Sequence, residues 1–149
     1  MKVYLAGALF NEAEVNQRKL EGTLFRTRFP NVELFNPIDQ PFNENKQSLP
    51  TSIEIFEADA NAVRAADIII ADITNEDAGV MVEIGQAIEL GKVVIGINSD
   101  IRLKSANKYD IPTYGMNHYL LGALEKHGYL VYSFEEALDI IGIYWRSKR

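Results

Sequence analysis

Cysteine is absent from the sequence, and histidine occurs only twice among its 149 residues. The missing cysteines exclude disulfide frameworks, thiolate nucleophiles and cysteine-ligated zinc or iron–sulfur sites. The two histidines, His118 and His127, limit any histidine metal site to a bare pair. Neither lies near a strand end with a nucleophile elbow, so we do not expect a Ser-His-Asp triad.

Long apolar runs and excess positive charge are also missing. No apolar stretch approaches the length of about 18 residues that marks a transmembrane helix, and the amino terminus shows no signal-peptide cleavage pattern. The net charge of -6 and the pI near 4.9 suit a nucleic acid polymer poorly as a partner. We therefore expect a cytoplasmic protein that binds neither a membrane nor a nucleic acid polymer.

The composition that remains is that of an ordinary globular protein. Hydrophobic residues make up 47% of the chain and charged residues 24%, which argues against disorder. A chain of this length buries one core rather than two. The expectation is a single domain over residues 1–149.

Short apolar runs alternate with amphipathic segments along the chain. The runs predict strands at residues 3–6, 32–35, 66–73, 93–97 and 129–132, and the segments predict helices at residues 11–29, 51–65, 78–90, 114–126 and 133–141. Residues 36–50 contain three prolines and three asparagines and are interpreted as one long loop. This alternation predicts an α/β fold with a doubly wound parallel sheet, for which five strands favour the flavodoxin-like order 2-1-3-4-5. Its active crevice is expected beyond the first and third strands, at residues 7–11 and 72–79.

The segment after the third predicted strand carries the richest chemistry. Asp77 is well placed to cap the following helix, since its side chain can accept a hydrogen bond from an amide two or three residues on. Glu83 lies three residues after Val80 and four before Ala87, so it falls on or beside the apolar face of that helix. Glutamate is rarely buried without a partner. We therefore interpret Glu83 as a carboxylate at the mouth of the crevice.

Other acids allow more than one interpretation. Asp59 lies at the edge of the apolar stripe of its helix, where a solvated acid is the commoner outcome. Asp72, Glu76 and Asp77 could form an unspecific Mg²⁺ site, although loops often carry such acids. The loop that begins at Gly7 does not match a phosphate-binding motif, because it has one glycine and no Ser, Thr, Lys or Arg.

Four motifs occur in a fixed order along most of the chain. They are Val3-Tyr4-Leu5-Ala6-Gly7-Ala8-Leu9-Phe10, then Asn36-Pro37-Ile38-Asp39, then Asp59 followed eight residues later by Asp67, and finally Asp77-Ala78-Gly79 with Glu83-Ile84-Gly85 and Gly91-Lys92. From the first strand to about Ala123, this combination resembles the nucleoside 2-deoxyribosyltransferase family.

The resemblance implies roles for individual residues. Glu83 corresponds to the catalytic nucleophile, Tyr4 to the tyrosine that holds it, and Asp59 to the acid that protonates the nucleobase. The positions that correspond to substrate binding are Gly7, Phe10, Asp39, Asp77, Gly79 and Asn117. Asn117 resembles an asparagine that completes the neighbouring subunit's site, which implies a homo-oligomer of at least two copies.

The reaction that the resemblance implies is transfer of 2-deoxyribose from a 2′-deoxynucleoside to a free nucleobase, as in nucleoside salvage. It would proceed by double displacement through a deoxyribosyl ester on Glu83, and it would need neither a metal nor an organic cofactor. A carboxylate suits this chemistry because it can capture the oxocarbenium-like centre left when the base departs.

Two other functions remain open at this stage. The same motifs also resemble a 2′-deoxynucleoside 5′-monophosphate N-glycosidase, which would use water as the acceptor and need groups that hold a phosphate. A different class is a non-catalytic module that binds a nucleoside or nucleotide. Reading Asp77 as a cap and Asp59 as a solvated acid gives a purely structural account, but it leaves Glu83 unexplained.

Overall fold

The computed structural model describes residues 1–44, 50–101 and 115–147. Its strands are β1 (Lys2–Ala6), β2 (Glu33–Phe35), β3 (Ile68–Asp72), β4 (Val93–Ile97) and β5 (Gly128–Val131). Its helices are α1 (Glu12–Arg28), α2 (Pro41–Glu44), α3 (Ser52–Ala65), α4 (Ala78–Glu89), α5 (His118–His127) and α6 (Phe134–Ser147). Within these ranges, none of the helices has the length and apolar character needed to cross a membrane.

The strands form one parallel sheet in the order β2-β1-β3-β4-β5. In its centre, Tyr4 of β1 pairs with Ile69 of β3, and Ile69 pairs with Val94 of β4. The predicted α/β class and the flavodoxin-like strand order are therefore confirmed. The winding reverses between β1 and β3, which places the crevice beyond the carboxyl ends of these two strands.

Successive side chains of each strand point into two different apolar layers. Val3 and Leu5 lie in the layer that α1 and α6 complete, whereas Tyr4 and Ala6 lie in the layer that α3, α4 and α5 complete. The alternation along β1 thus turns Tyr4 towards α3 and α4. These are the helices that carry Asp59 and Glu83, respectively.

Local capping fixes where α3 begins. Thr51 accepts a hydrogen bond from the Glu54 amide, and the Glu54 side chain accepts one from the Thr51 amide, so the two form a capping box. This arrangement satisfies orphan amides at the start of the helix. The helix predicted over residues 51–65 is confirmed, with Thr51 as its cap and Ser52 as its first residue.

The segment predicted as one long loop contains ordered structure. A 3-10 turn spans Pro37–Asp39, and α2 begins at Pro41. Both prolines stand in a first turn, where a missing amide hydrogen leaves no bond unmade. The prediction of a loop throughout residues 36–50 is therefore wrong for residues 37–39 and 41–44, and residues 45–49 lie outside the described residues.

Two helices near the carboxyl terminus differ from their predicted limits. α6 continues to Ser147 instead of ending at residue 141, since apolar residues recur at helical spacing as far as Tyr144 and Trp145. α5 begins at His118, directly after its capping residue Asn117. Residue 114, at which this helix was predicted to begin, lies outside the described residues.

Candidate active site

A tyrosine of β1 and a glutamate of α4 meet through their side chains. The Tyr4 hydroxyl donates a short hydrogen bond to Oε1 of Glu83. Tyr4 is fully buried and its ring stacks on Phe35 of β2, with ring centroids 5.3 Å apart. Because burial and the stack on Phe35 hold the tyrosine ring, its hydroxyl holds the Glu83 carboxylate in one place.

The environment of Glu83 makes its carboxyl group a weak acid. Burial, together with the nearby charges of Asp59 and Asp77, raises its pKa from the ordinary 4.5 to about 7, although the hydrogen bond from Tyr4 acts in the opposite direction. A carboxyl with this pKa changes its charge close to neutral pH. This is the behaviour expected of an active-site group rather than of a surface glutamate.

Tyr4 keeps its proton at neutral pH. Its pKa is raised far above the usual range by burial and by the negative charges of Glu83 and Asp59. The hydroxyl is therefore a permanent hydrogen-bond donor. It cannot serve as a general base at neutral pH.

Asp59 lies next to this pair on α3. Its charge acts on both Tyr4 and Glu83, so the structure brings the three predicted catalytic residues together. Burial raises the pKa of Asp59, and its buried Oδ1 atom has no hydrogen-bond partner among the described residues. An unpaired buried carboxyl oxygen is costly, and a substrate atom bound beside it would remove that cost.

Asp77 has the cap role that its position predicted. Its Oδ1 atom accepts a 3.1 Å hydrogen bond from the Val80 amide at the start of α4. A Cβ atom built on Gly79 would lie 3.1 Å from the same oxygen, so the glycine leaves room for the carboxylate. Since the charge of Asp77 also raises the pKa of Glu83, the cap and the nucleophile candidate are electrostatically linked.

Asn117 and Glu76 connect the loop before α4 to the start of α5. The side-chain oxygen of Asn117 accepts hydrogen bonds from the backbone amides of Tyr119 and Leu120. The backbone amide of Asn117 donates a 2.9 Å hydrogen bond to Oε1 of Glu76. Glu76 adopts a left-handed backbone conformation with φ of 48°, which is uncommon for a residue other than glycine. No sequence pattern indicates this contact, because it joins residues 41 positions apart.

The remaining predicted binding residues occupy different surroundings. Phe10 is 80% exposed at the tip of the loop that follows β1. Asp39 is exposed and pairs with Arg26 of α1. In the part of the chain that the structure describes, no hydrogen bond or ion pair links Asp39 to Tyr4 or Glu83. The structure therefore assembles the catalytic candidates but does not connect Asp39 with them.

A buried ion pair beneath the crevice was not predicted from the sequence. Arg18 of α1 bonds to Glu21 at 3.0 Å and to Asp72, the last residue of β3, at 2.9 Å. Arg18 and Glu21 are almost completely buried, whereas Leu20 and Leu24 on the same helix are exposed. Helical spacing of apolar residues cannot reveal a buried face that is built from charges.

The loop acids do not assemble into a metal centre. Asp72 binds Arg18, Glu76 accepts the Asn117 amide, and Asp77 caps α4. Within the described ranges, no group of three or more histidine or acidic residues is arranged to hold a metal ion.

A groove between α4 and α5 lies away from the catalytic candidates. It has a volume of about 890 Å³, and its lining includes Met81, Ile88 and Leu120 but not Glu83. Met81 and Ile88 project from a different side of α4 than Glu83. The groove therefore does not enclose the predicted catalytic residues, although Asn117 also lines it.

Comparisons with known proteins identify the family and the fold to which this chain is similar. The model of the nucleoside 2-deoxyribosyltransferase family matches residues 3–140. An uncharacterized protein of Ureaplasma parvum serovar 3 is 34% identical over 152 aligned positions, which cover 93% of this chain and 92% of that protein.

Solved structures show the same fold. A conserved protein from Enterococcus faecalis V583 superposes with a TM-score of 0.79 at 27% identity, covering 93% of this chain and 94% of the other. The CMP N-glycosidase BcmB of Clostridium botulinum gives a TM-score of 0.57 at 19% identity, covering 97% and 99%. A 2-deoxyribosyltransferase from Bacillus psychrosaccharolyticus gives 0.57 at 21% identity, covering 70% and 77%. At these lower identities, the likeness to the two enzymes concerns the fold alone.

Proposed function

The chain belongs to the nucleoside 2-deoxyribosyltransferase family, and from this membership we propose that it transfers 2-deoxyribose from a 2′-deoxynucleoside to a free nucleobase. The observation that carries the proposal is the contact of Glu83 with Tyr4, beside the half-buried carboxyl of Asp59. A fixed nucleophile next to a proton donor is what cleavage of an N-glycosidic bond requires.

In the first half of the reaction, a Glu83 oxygen forms a bond to C1′ of the deoxyribose. The N-glycosidic bond breaks, its electron pair goes to the base nitrogen, and the proton of Asp59 is transferred to a ring nitrogen of the departing base. The products are a free base, ionised Asp59 and a deoxyribosyl ester of Glu83.

In the second half, a nitrogen of the acceptor base forms a bond to C1′ of the ester. The ester C–O bond breaks and Glu83 leaves as a carboxylate, while the proton lost by the acceptor nitrogen returns to Asp59. Each half inverts the configuration at C1′, so the product nucleoside has the original configuration.

The two carboxyl groups share one proton in the reactive state. Glu83 must be ionised to attack, and Asp59 must be protonated to assist the leaving base. Interacting carboxyls titrate as a pair, with one proton held over an intermediate range of pH. The hydrogen bond from Tyr4 favours the ionised form of Glu83, and so directs the shared proton to Asp59.

Hydrolysis of a nucleoside 5′-monophosphate fits the described residues less well. A phosphate commonly binds the free amides of a helix amino terminus, but the first turn of α1 carries Glu12 and Glu14. The Glu14 carboxylate already accepts the Phe10 amide, and Arg18 is engaged by two carboxylates. Negative charge at this end of the crevice favours a neutral nucleoside.

We also propose that the active unit contains at least two copies, with Asn117 completing the site of the neighbouring copy. The side-chain oxygen of Asn117 caps α5. The side-chain nitrogen, Nδ2, is therefore the group that could reach a substrate. Mixing inactive Glu83→Gln and Asn117→Ala proteins tests the proposal. Recovered activity in the mixed oligomer supports a shared site, and no recovery contradicts it.

The test of the proposed function is an assay with 2′-deoxyinosine and adenine, with products separated by chromatography. We expect 2′-deoxyadenosine from the wild type and from Glu89→Gln, an exposed glutamate of the same helix, but not from Glu83→Gln. Hypoxanthine without 2′-deoxyadenosine would indicate hydrolysis instead. No base release from either nucleosides or nucleotides would support a binding module.

A further inference from the structure

The floor of the crevice contains a buried arginine that the proposed chemistry does not use. Arg18 is 2% exposed, and its Nη2 atom bonds to Asp72 at 2.9 Å and to Glu21 at 3.0 Å. The Arg18 carbonyl also accepts a 2.9 Å hydrogen bond from the buried side chain of Asn36. Arg18 is therefore fixed from both its backbone and its guanidinium.

The loop after β1 rests directly on this guanidinium. A Cβ atom built on Gly7 would lie 2.0 Å from the Nη1 atom of Arg18, which no real pair of atoms could tolerate. Glycine at this position thus permits the backbone to lie against Arg18. The contact gives Gly7, a residue singled out from the sequence, a physical role.

The other end of the arginine is tied to the loop after β3. Asp72 accepts the Arg18 bond through Oδ2 and the Thr74 amide through Oδ1, the latter at 3.0 Å. That loop leads to Asp77 and then to α4, which carries Glu83. Arg18 consequently lies against the loop after β1 and reaches the loop after β3 through Asp72.

We propose that Arg18 is a positioning residue that joins the loop at residues 7–11 to the loop at residues 73–77 and so sets the place of Glu83 relative to the bound nucleoside. The proposal rests on the proposed function. Arg18 acts through Gly7 and Asp72 and has no contact with Glu83 among the described residues.

The chemistry of the pairing supports a role beyond packing. Burial raises the pKa of Glu21, while the positive charge of Arg18 lowers it. The Nε and Nη1 atoms of Arg18 and Oε2 of Glu21 have no hydrogen-bond partner in the described parts of the chain. A buried ion pair with unmet hydrogen bonds contributes little to the stability of the fold. We therefore assign to this pair the role of holding the two loops in a fixed geometry.

The test compares Arg18→Lys with Arg28→Lys on the same helix. Arg28 is exposed and pairs with Asp139 of α6, away from the crevice. Lysine keeps the charge at residue 18 but lacks the planar fork that can serve two carboxylates. A small displacement of the reacting groups lowers the reaction rate strongly. We therefore expect kcat for transfer to fall about 10- to 100-fold in Arg18→Lys.

The changes in kcat and KM show whether Arg18 positions the reacting groups or only stabilises the fold. All assays are run well below the unfolding temperature of each variant. For Arg18→Lys we expect a lower kcat with KM for 2′-deoxyinosine nearly unchanged, whereas Arg28→Lys should retain both constants. Asp72→Asn, which keeps the acceptor for Thr74 but weakens the tie to Arg18, should lower kcat in the same manner.

The double variant Arg18→Lys/Asp72→Asn tests whether the two residues act through each other. If they do, its kcat is no lower than that of the more impaired single variant. If Arg18→Lys does not fold, Asp72→Asn alone decides the outcome. Wild-type kcat in a folded variant at residue 18 or 72 would overturn the positioning role while leaving the proposed function intact, whereas wild-type protein without transfer would refute the function itself.

Discussion

At the scale of the residue, Tyr4 controls how the carboxyl pair titrates. Its hydrogen bond lowers the pKa of Glu83, which stands at about 7. Because the reactive pair holds one proton, kcat/KM of the wild type should fall as pH rises through about 7, where the last proton leaves.

Tyr4→Phe removes this hydrogen bond, which lowers the pKa of Glu83 in the wild type. The pKa of Glu83 should therefore be higher in the variant. We expect the alkaline fall of kcat/KM to move to higher pH, and the maximal rate to drop because the proton is directed less often to Asp59. The matched control is Tyr129→Phe, which changes an exposed tyrosine bonded to Tyr144. An unshifted profile in Tyr4→Phe would contradict the assigned role of the tyrosine.

Asp59→Asn should reverse the pH dependence of the enzyme. Without a second carboxyl there is no shared proton, so activity depends only on ionised Glu83 and should rise with pH. Since the charge of Asp59 raises the pKa of Glu83, the midpoint of this rise should lie below 7. Loss of the proton donor should lower kcat by about 10²- to 10⁴-fold.

The control for this variant is Glu57→Gln, an exposed acid on the same helix. It should keep the wild-type profile and rate. If kcat/KM of Asp59→Asn still fell at alkaline pH, the proton that the departing base receives would come from a group other than Asp59.

At the scale of the element, α4 couples a helix cap to Glu83, the proposed nucleophile. Asp77→Asn preserves an oxygen that can accept the Val80 amide but removes the charge that raises the pKa of Glu83. We expect the alkaline fall of kcat/KM to move to lower pH with an unchanged unfolding temperature. Asp77→Ala should show the same shift and also lose about 1 kcal/mol of stability with the cap.

Profiles measured for the two variants distinguish charge from capping. A pH shift seen in Asp77→Ala but not in Asp77→Asn would mean that helix fraying, rather than charge, alters Glu83.

The elements themselves were largely predictable because their signals are local. The capping box at Thr51 and the cap at Asp77 each involve residues three apart, and the unbroken apolar run of β3 indicates a strand buried on both faces. The buried face of α1 was not predictable. Arg18 is buried because Asp72, 54 residues away, lies beside it, and only the folded sheet creates that neighbourhood.

The same distinction applies to the candidate site. Glu83 could be singled out by its position on an apolar helix face, and Asp59 by its place at the edge of such a face. Their meeting with Tyr4 follows from the side alternation of β1 and the packing of α3 beside α4. The Glu76–Asn117 contact depends on loop conformations that no periodic pattern encodes.

At the scale of the whole molecule, Glu83 should reduce stability at high pH. Its pKa in the folded protein, about 7, exceeds its ordinary value of 4.5, so the folded state binds the proton more tightly. This contribution to stability is fully present below about pH 4.5 and is lost as pH rises through about 7.

Glu83→Gln removes the buried charge and keeps an oxygen that can accept the Tyr4 hydroxyl. Its unfolding temperature should exceed that of the wild type by a few degrees above pH 7 and should approach it near pH 4.5. Thermal unfolding measured at both pH values, with Glu89→Gln as the control, checks this. Equal unfolding temperatures of the wild type and Glu83→Gln at high pH would indicate that ionisation of Glu83 does not destabilise the folded protein.

The central claim is that Glu83 forms a bond to the sugar, and mass spectrometry tests it most directly. The protein is mixed with 2′-deoxyinosine in the absence of an acceptor base, quenched in acid, digested and sequenced. We expect one added 2-deoxyribosyl group on the peptide that contains Glu83, and we expect it to disappear when adenine is added before quenching. Release of hypoxanthine with no adduct on Glu83 at any reaction time would contradict the covalent mechanism.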